Sequence, residues 1–270
     1  MEGFYDVLFE VSNEDRHKIL LQLADEARNV TQLSKILGLS LTETSRHLSR
    51  LSEVGLTKKS VDGFYNITSY SELILRLLPG FHFITSQKDY FSSHSLARLP
   101  LEYVGRIGEL SDSTYTHDQM VAISRIEALM REAEEYIGII HDQYLMSGYS
   151  IGAEALRRGV KIRAIDPKIY HPSLELRGQV TAEDKQTISS AMTSGLCKMG
   201  TLDRIDVFLY ISEKEVAIIS FPTLDGKFDY LGFSSRDERA HKWCRDLFEY
   251  YWERTEPKHE PDFAQVDKRP

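Results

Sequence analysis

Thr42, Ser45, Arg46, Ser49 and Arg50 fall on one side of a single helical stretch, and Lys58 and Lys59 follow shortly after it. Guanidinium forks and hydroxyls are the groups that meet phosphate oxygens and base edges in a DNA groove, while lysines act mainly as phosphate charges. This set therefore points to contact with double-stranded DNA. A second set lies downstream. His141, Asp142 and Tyr144 follow one apolar run, and Asp166 and Tyr170 follow another. The carboxyl ends of strands are where open sheets bind ligands, so these five form a candidate effector-binding set. The competing reading is structural: His141 and Asp166 cap helices or bond backbone, and Tyr144 and Tyr170 pack half-buried. No two of His94, His117, His141 and His171 have the i, i+4 spacing that sets two imidazoles on one helix face, so neither a metal site nor a cofactor is expected.

The first set needs a helix pair to hold it. Ser12, followed by Glu14 and Asp15, reads as a helix start, and Ile19, Leu20, Leu23, Ala24 and Ala27 recur at helical spacing. Thr31 reads as the next cap, with Leu33, Ile36 and Leu37 inward and Gly38 as the stop. Another helix follows, with Thr44, Leu48 and Leu51 on the face opposite the hydroxyls and arginines. After Gly55, the stretch LTKKSVDGFYNIT reads as two short strands around an Asp62-Gly63 turn. Helices and then a hairpin predict a winged helix-turn-helix over residues 1 to 70, its second helix in the major groove and its wing beside the backbone. Winged helices also dock proteins, which is the bland alternative.

Composition agrees with a local rather than a general polyanion binder. The chain has 270 residues, 41% apolar and 27% charged, and a formal net charge of −8, so two ordinary globular domains are expected. Residues 42 to 60 carry +2 while the remainder carries −10, which puts the positive patch where the helix reading needs it. Cys197 and Cys244 are far apart and form no CxxC pair, so no disulfide framework or cysteine zinc site is suggested. The N-terminus lacks a basic start followed by an apolar stretch, and no apolar run approaches the ~18 residues that span a bilayer. A cytoplasmic protein with no membrane partner is expected.

Residues 71 to 112 read as linker and dimerisation helices. Leu73, Ile74, Leu77 and Leu78 give an apolar stripe interrupted at Pro79 and Gly80, and Phe81, Phe83, Ile84, Tyr90 and Phe91 extend an aromatic surface. That surface calls either for a second copy, making a homodimer, or for the chain's own C-terminal domain; Pro100 marks the domain boundary. Over residues 113 to 255 the pattern alternates: a helix at 116 to 135, a strand at 136 to 141, a helix at 145 to 158 and a strand at 160 to 166. A helix at 181 to 194, two strands around the Ser212–Lys214 turn, a strand at 228 to 233 and a last helix to Trp252 complete it. This predicts a helix-flanked mixed sheet, α+β or α/β in class. Residues 256 to 270 are polar and read as a disordered tail.

The run from Ser40 through Ser45-Arg46-His47-Leu48, Leu51, Gly55 and Leu56, followed in register by a wing, resembles the recognition helix of ArsR-type winged-helix repressors, with one extra residue at Leu41. It lacks the cysteine motif of that family's metal sensors. With KDYFSSHSLARLP (88 to 100), VFLYISEKEVAIIS (207 to 220) and LGFSSRDERAHKWCRDLFEYYWER (231 to 254), the chain resembles the archaeal methanogenesis- and filament-regulator family. That resemblance implies a dimeric archaeal DNA-binding transcription regulator. It also implies a C-terminal domain similar to the TrmB-type sensor and to the phospholipase D fold. Phospholipase D chemistry needs a His nucleophile and a Lys on one strand. The corresponding strand here, Glu215 to Ser220, has neither. The expectation is therefore a non-enzymatic regulator that binds a small effector or a partner. The alternative is a phosphodiesterase or nuclease targeted by the winged helix, with His141 as nucleophile.

Overall fold

A computed structural model describes residues 2–143, 145, 147–168, 180–259 and 261. It divides into two compact units, Met1–Pro79 and Gly80–Pro270.

The first unit begins with a helix, α1 (Glu2–Val11), where the sequence suggested only an apolar lead-in. Arg16 closes it: Nε donates to Glu10 O at 3.0 Å and Nη2 to Phe9 O at 3.0 Å, so a cation satisfies the orphan carbonyls of its last turn. Ser12 bonds back to Phe9 O at 3.0 Å and thus belongs to the end of α1. The cap of α2 (Glu14–Asp25) is Asn13, which accepts from Arg16 N. Thr31 is likewise displaced as a cap, because Asn29 and Gln32 form a reciprocal capping box at the start of α3 (Val30–Leu37). Gly38 ends α3 at φ 70°, a left-handed position where a side chain is strained. A second capping box, Ser40 with Glu43, starts α4 (Leu41–Glu53). Ile19, Leu20, Leu33, Leu48, Leu51 and Leu56 are fully buried between these helices. Strands β1 (Thr57–Lys59) and β2 (Tyr65–Ile67) pair antiparallel, and Tyr65 also exchanges backbone bonds with Arg28, fastening the wing to the helices.

Helix α5 (Ser69–Ser86) runs through Pro79 instead of stopping there. The second unit then holds α6 (Lys88–Ser93) and α7 (Leu101–Gly105), followed by an eight-stranded mixed sheet in the order β10 (Glu256–Lys258), β6 (Cys197–Leu202), β5 (Lys161–Pro167), β4 (Tyr136–Ile140), β7 (Phe208–Ser212), β8 (Val216–Ser220), β9 (Gly232–Ser235) and β3 (Thr114–Thr116). Its parallel part is β4 (Tyr136–Ile140), β5 (Lys161–Pro167) and β6 (Cys197–Leu202), linked through α9 (Gly148–Arg157) and a helix α10 (Ala182–Ser194). Strand β6 was not anticipated. From β4 outward the sheet is antiparallel, through β7 (Phe208–Ser212), β8 (Val216–Ser220), β9 (Gly232–Ser235) and β3 (Thr114–Thr116). The expected strand at 228 to 233 is thus shifted to β9, and α8 (Gln119–Glu132) begins only after β3.

Alternation puts Phe208, Tyr210 and Ala217 on the face under α8, α9 and α10, and Leu209, Ile211 and Ile219 on the other, under the last helix, α11 (Glu238–Trp252), with Trp243 and Leu247. Phe83, at the end of α5, and Tyr90 and Phe91 of α6 lie on this second face, whereas Phe81 and Ile84 are exposed. Tyr90 stands edge-on to Phe233 at 4.9 Å, its hydroxyl accepts from Phe221 N, and Phe83, Tyr103 and Ile107 join the same core. Phe83, Tyr90, Phe91, Tyr103 and Ile107 therefore pack on the sheet of their own unit, whereas Phe81 and Ile84 stay exposed, and the division falls at Pro79 rather than Pro100. The expected disordered tail is corrected at its start: Glu256–Lys258 form β10 against β6. The remainder of that call, residues 260 and 262 to 270, lies outside the described residues. No helix among the described residues is long and apolar enough to cross a membrane.

Candidate nucleic-acid interface and sheet cavity

Helix α4 is held by its inner face, where Thr44, Leu48 and Leu51 are fully buried. Its exposed face carries Thr42, Ser45, Arg46, Ser49 and Arg50 together. Ser49 Oγ donates to Glu53 Oε1 at 3.2 Å, and Arg50 Nη1 lies 3.4 Å from Glu10 Oε1. Lys58 and Lys59 are exposed on β1, with the Lys59 ammonium 5.5 Å from the Tyr65 ring centre. The structure thus brings the whole first set onto one unit with cationic and hydroxyl groups facing solvent. His47, between these outward residues in sequence, is instead buried, and its pKa is lowered by desolvation and by the charge of Arg16.

Of the second set, His141 and Asp166 meet. Both are buried, with His141 Nε2 2.8 Å from Asp166 Oδ1. Two further residues, absent from the sequence reading, join them. Tyr210 OH lies 3.0 Å from His141 Nδ1, and Lys258 Nζ lies 2.6 Å from Asp166 Oδ2. Tyr210 reaches the site through the antiparallel register that sets it opposite Ile139, a pairing between strands distant in the chain. Lys258 gave no signal, because its strand forms only by pairing with β6. Burial opposes ionisation of Asp166, but the His141 hydrogen bond and charge and the Lys258 ammonium outweigh it and hold the carboxyl below its ordinary range. Asp142 is shifted the other way by burial, and its Oδ1 has no hydrogen-bond partner among the described residues. Tyr144 and Tyr170 lie outside the described residues.

His141 and Tyr210 are polar groups on the wall of a largely apolar cavity of about 70 Å³, bounded also by Ile139, Leu145, Tyr149 and Met199. Cys197 lines it too, its thiol pushed up to about 12 by burial and by Asp166. Among the described residues no group of three His, Cys, Asp or Glu could hold a metal ion; His94 faces Asp229, and His171 lies outside them.

Residues 13–59 match the family described as "Bacterial regulatory protein, arsR family". Across 269 residues the chain is 23% identical to the methanogenesis regulatory protein FilR1 of Methanothrix harundinacea (strain 6Ac), covering 94% of this chain but 58% of that protein. The chain thus spans little more than half the length of that relative. Among solved structures it is similar to TrmBL2, an archaeal chromatin protein, at 15% identity over 91% of this chain and 94% of that one, with a TM-score of 0.42. A phospholipase D family member, Nuc from Salmonella typhimurium, is similar at 7% identity over 55% of this chain and 97% of that one, with a TM-score of 0.38. The winged helix of this chain is a regulatory helix-turn-helix domain of the arsR family, and the chain that carries it is homologous to FilR1.

Proposed function

We propose that this chain is a DNA-binding transcription regulator of archaeal type that acts as a homodimer and whose second unit senses a small effector or binds a partner. The observation that carries the reading is the outer face of α4, where Thr42, Ser45, Arg46, Ser49 and Arg50 stand exposed above a buried apolar face, with Lys58 and Lys59 on the adjacent wing. Such a face suits a helix lying in the major groove with a wing along the phosphates.

A two-fold dimer would present two such helices to a palindromic site. Exposed apolar residues of the first unit support one: Phe4, Tyr5 and Phe9 on α1 and Leu73 and Leu77 on α5 are 61% exposed or more. The cavity beside His141, with Asp166 behind it, supports an effector role, and a coupling of ~1–3 kcal/mol between it and the DNA face would be ordinary. A hydrolytic role finds no support in the geometry, since both ring nitrogens of His141 are already engaged and the residue is 2% exposed.

The test is a promoter-binding titration after genome-wide mapping has supplied the operator, with mass measured in solution. Loss of affinity in Arg46→Ala and Arg50→Ala supports the reading. Unchanged affinity in the double variant at every salt concentration overturns it, as would phosphodiester turnover by metal-free protein that His141→Ala abolishes.

A further inference from the structure

Among the described residues, the arginines that are buried or half-buried are Arg16, Arg28, Arg106, Arg125 and Arg163. Four of them face a carboxylate: Arg16 meets Glu10, Arg28 meets Glu26, Arg106 meets Glu109 and Asp246, and Arg163 meets Glu249. Arg125, on α8, has no carboxylate of the described residues within ion-pair distance. Its Nη1 donates to Thr116 Oγ1 at 2.6 Å and to Ser234 Oγ. A guanidinium has five N–H donors, and a half-buried one without a counter-charge leaves donors at Nε and Nη2 for something else.

Arg125 lines a pocket of about 460 Å³ together with Thr114, Ser235, Ala128, Val216 and Ala217. The other charged groups of its wall are Glu132, Glu215 and Arg236. Glu215 and Arg236 cancel one another in an ion pair of 2.7 Å, whereas Glu132 is exposed. The wall is therefore neutral in sum, and the half-buried Arg125 is its one cation without a carboxylate of the described residues within ion-pair distance. Such a wall favours a single negative charge, because two carboxylates repel a dianion. The planar fork of Arg125 fits a carboxylate, and the small apolar side chains leave room for a short hydrocarbon remainder. The pocket is separate from the His141 cavity. Register pairs Gly138 with Ile211 and Ile211 with Val216, which puts the pocket toward the amino end of β4, while His141 follows its carboxyl end.

We infer that this pocket binds the carboxylate of a small monoanionic metabolite, with Arg125 as the anion-holding residue. Calorimetric titration of the full chain with sodium butyrate, against inorganic phosphate and chloride at matched ionic strength, tests it. Saturable butyrate binding is expected. Arg125→Lys, which keeps the charge and loses the fork, should weaken it at least about tenfold. Arg239→Ala, outside this pocket, should leave it unchanged. Should Arg125→Lys fail to fold, Glu132→Gln at the exposed rim serves instead, and tighter butyrate binding is expected from it. Absence of saturable binding, binding unaltered by Arg125→Lys or by Glu132→Gln, or phosphate binding more tightly than butyrate would each overturn the inference.

Discussion

Arg50 on the outer face of α4 lies 3.4 Å from the Glu10 carboxylate of α1, and that carboxylate is held at 2.8 Å by the buried Arg16. One of the two arginines on the proposed DNA face is therefore also a structural contact of its own unit, and the other, Arg46, is not.

That difference separates two variants. Arg46→Ala should weaken operator binding by about 1–3 kcal/mol if it reads a base edge, with unfolding unchanged. Arg50→Ala should weaken DNA binding too and also lower stability, by less than about 1 kcal/mol because the pair is half exposed. Anisotropy titrations alongside urea unfolding of each variant check both parts.

Lys58 and Lys59 lie on the wing strand, where their charges suit phosphates. Replacing either by Ala should reduce the slope of log affinity against log salt by about one and weaken all sequences alike. Titrations of operator and random duplex across a salt series would show it, and a loss confined to the operator would contradict it.

The Asp166–Lys258 pair is buried on both sides, at 0% and 10% side-chain exposure. Lys258→Ala leaves a carboxylate without one of its partners and should cost about 3–5 kcal/mol in denaturant unfolding. Because the folded pKa of Asp166 is lowered, its contribution is fully present above the unfolded value of about 3.9 and is lost as pH falls below it through the folded pKa. An Asp166→Asn variant should show a flatter acid limb in stability measured against pH.

His47 titrates in a different window. Its folded pKa is lowered from 6.5, so the unfolded chain takes up the proton first and the stability contributed by the neutral ring declines as pH falls below about 6.5. Unfolding of wild type and His47→Gln between pH 5 and pH 8 should converge toward the acid end.

Gly232 opens β9, and a Cβ there would stand 2.3 Å from Ile219 O. Backbone cannot move aside as a flexible side chain can, so Gly232→Ala should destabilise the second unit by about 3 kcal/mol, read by thermal unfolding.

Much of the first unit was legible because its signals are local. Gly38, the stripe Thr44, Leu48 and Leu51, and the Asp62-Gly63 turn each report on neighbours a few residues away, and the exposed face of α4 follows from helical period alone. Caps were less legible: Ser12 and Thr31 have suitable hydroxyls, yet Asn13 and Asn29 took the role, since which residue caps depends on how the preceding chain arrives. In the second unit, short apolar runs between helices and turns revealed β4, β5, β7 and β8. Strand β6, with Gly200 in its middle, and β10, with Pro257, have weak strand patterns and exist through pairing with each other and with β5.

By itself the sequence determined the winged helix, the surface that α4 turns outward and the alternating helices and strands behind it, because side-chain period and turn chemistry are properties of short segments. Tertiary structure alone decided that Phe83, Tyr90 and Phe91 cover the sheet of their own unit and that Tyr210 and Lys258 join His141 and Asp166. It also decided that Arg125 lacks a carboxylate partner. These relations join residues distant in the chain, and the distances between them are set by how sheet and helices pack rather than by any local preference.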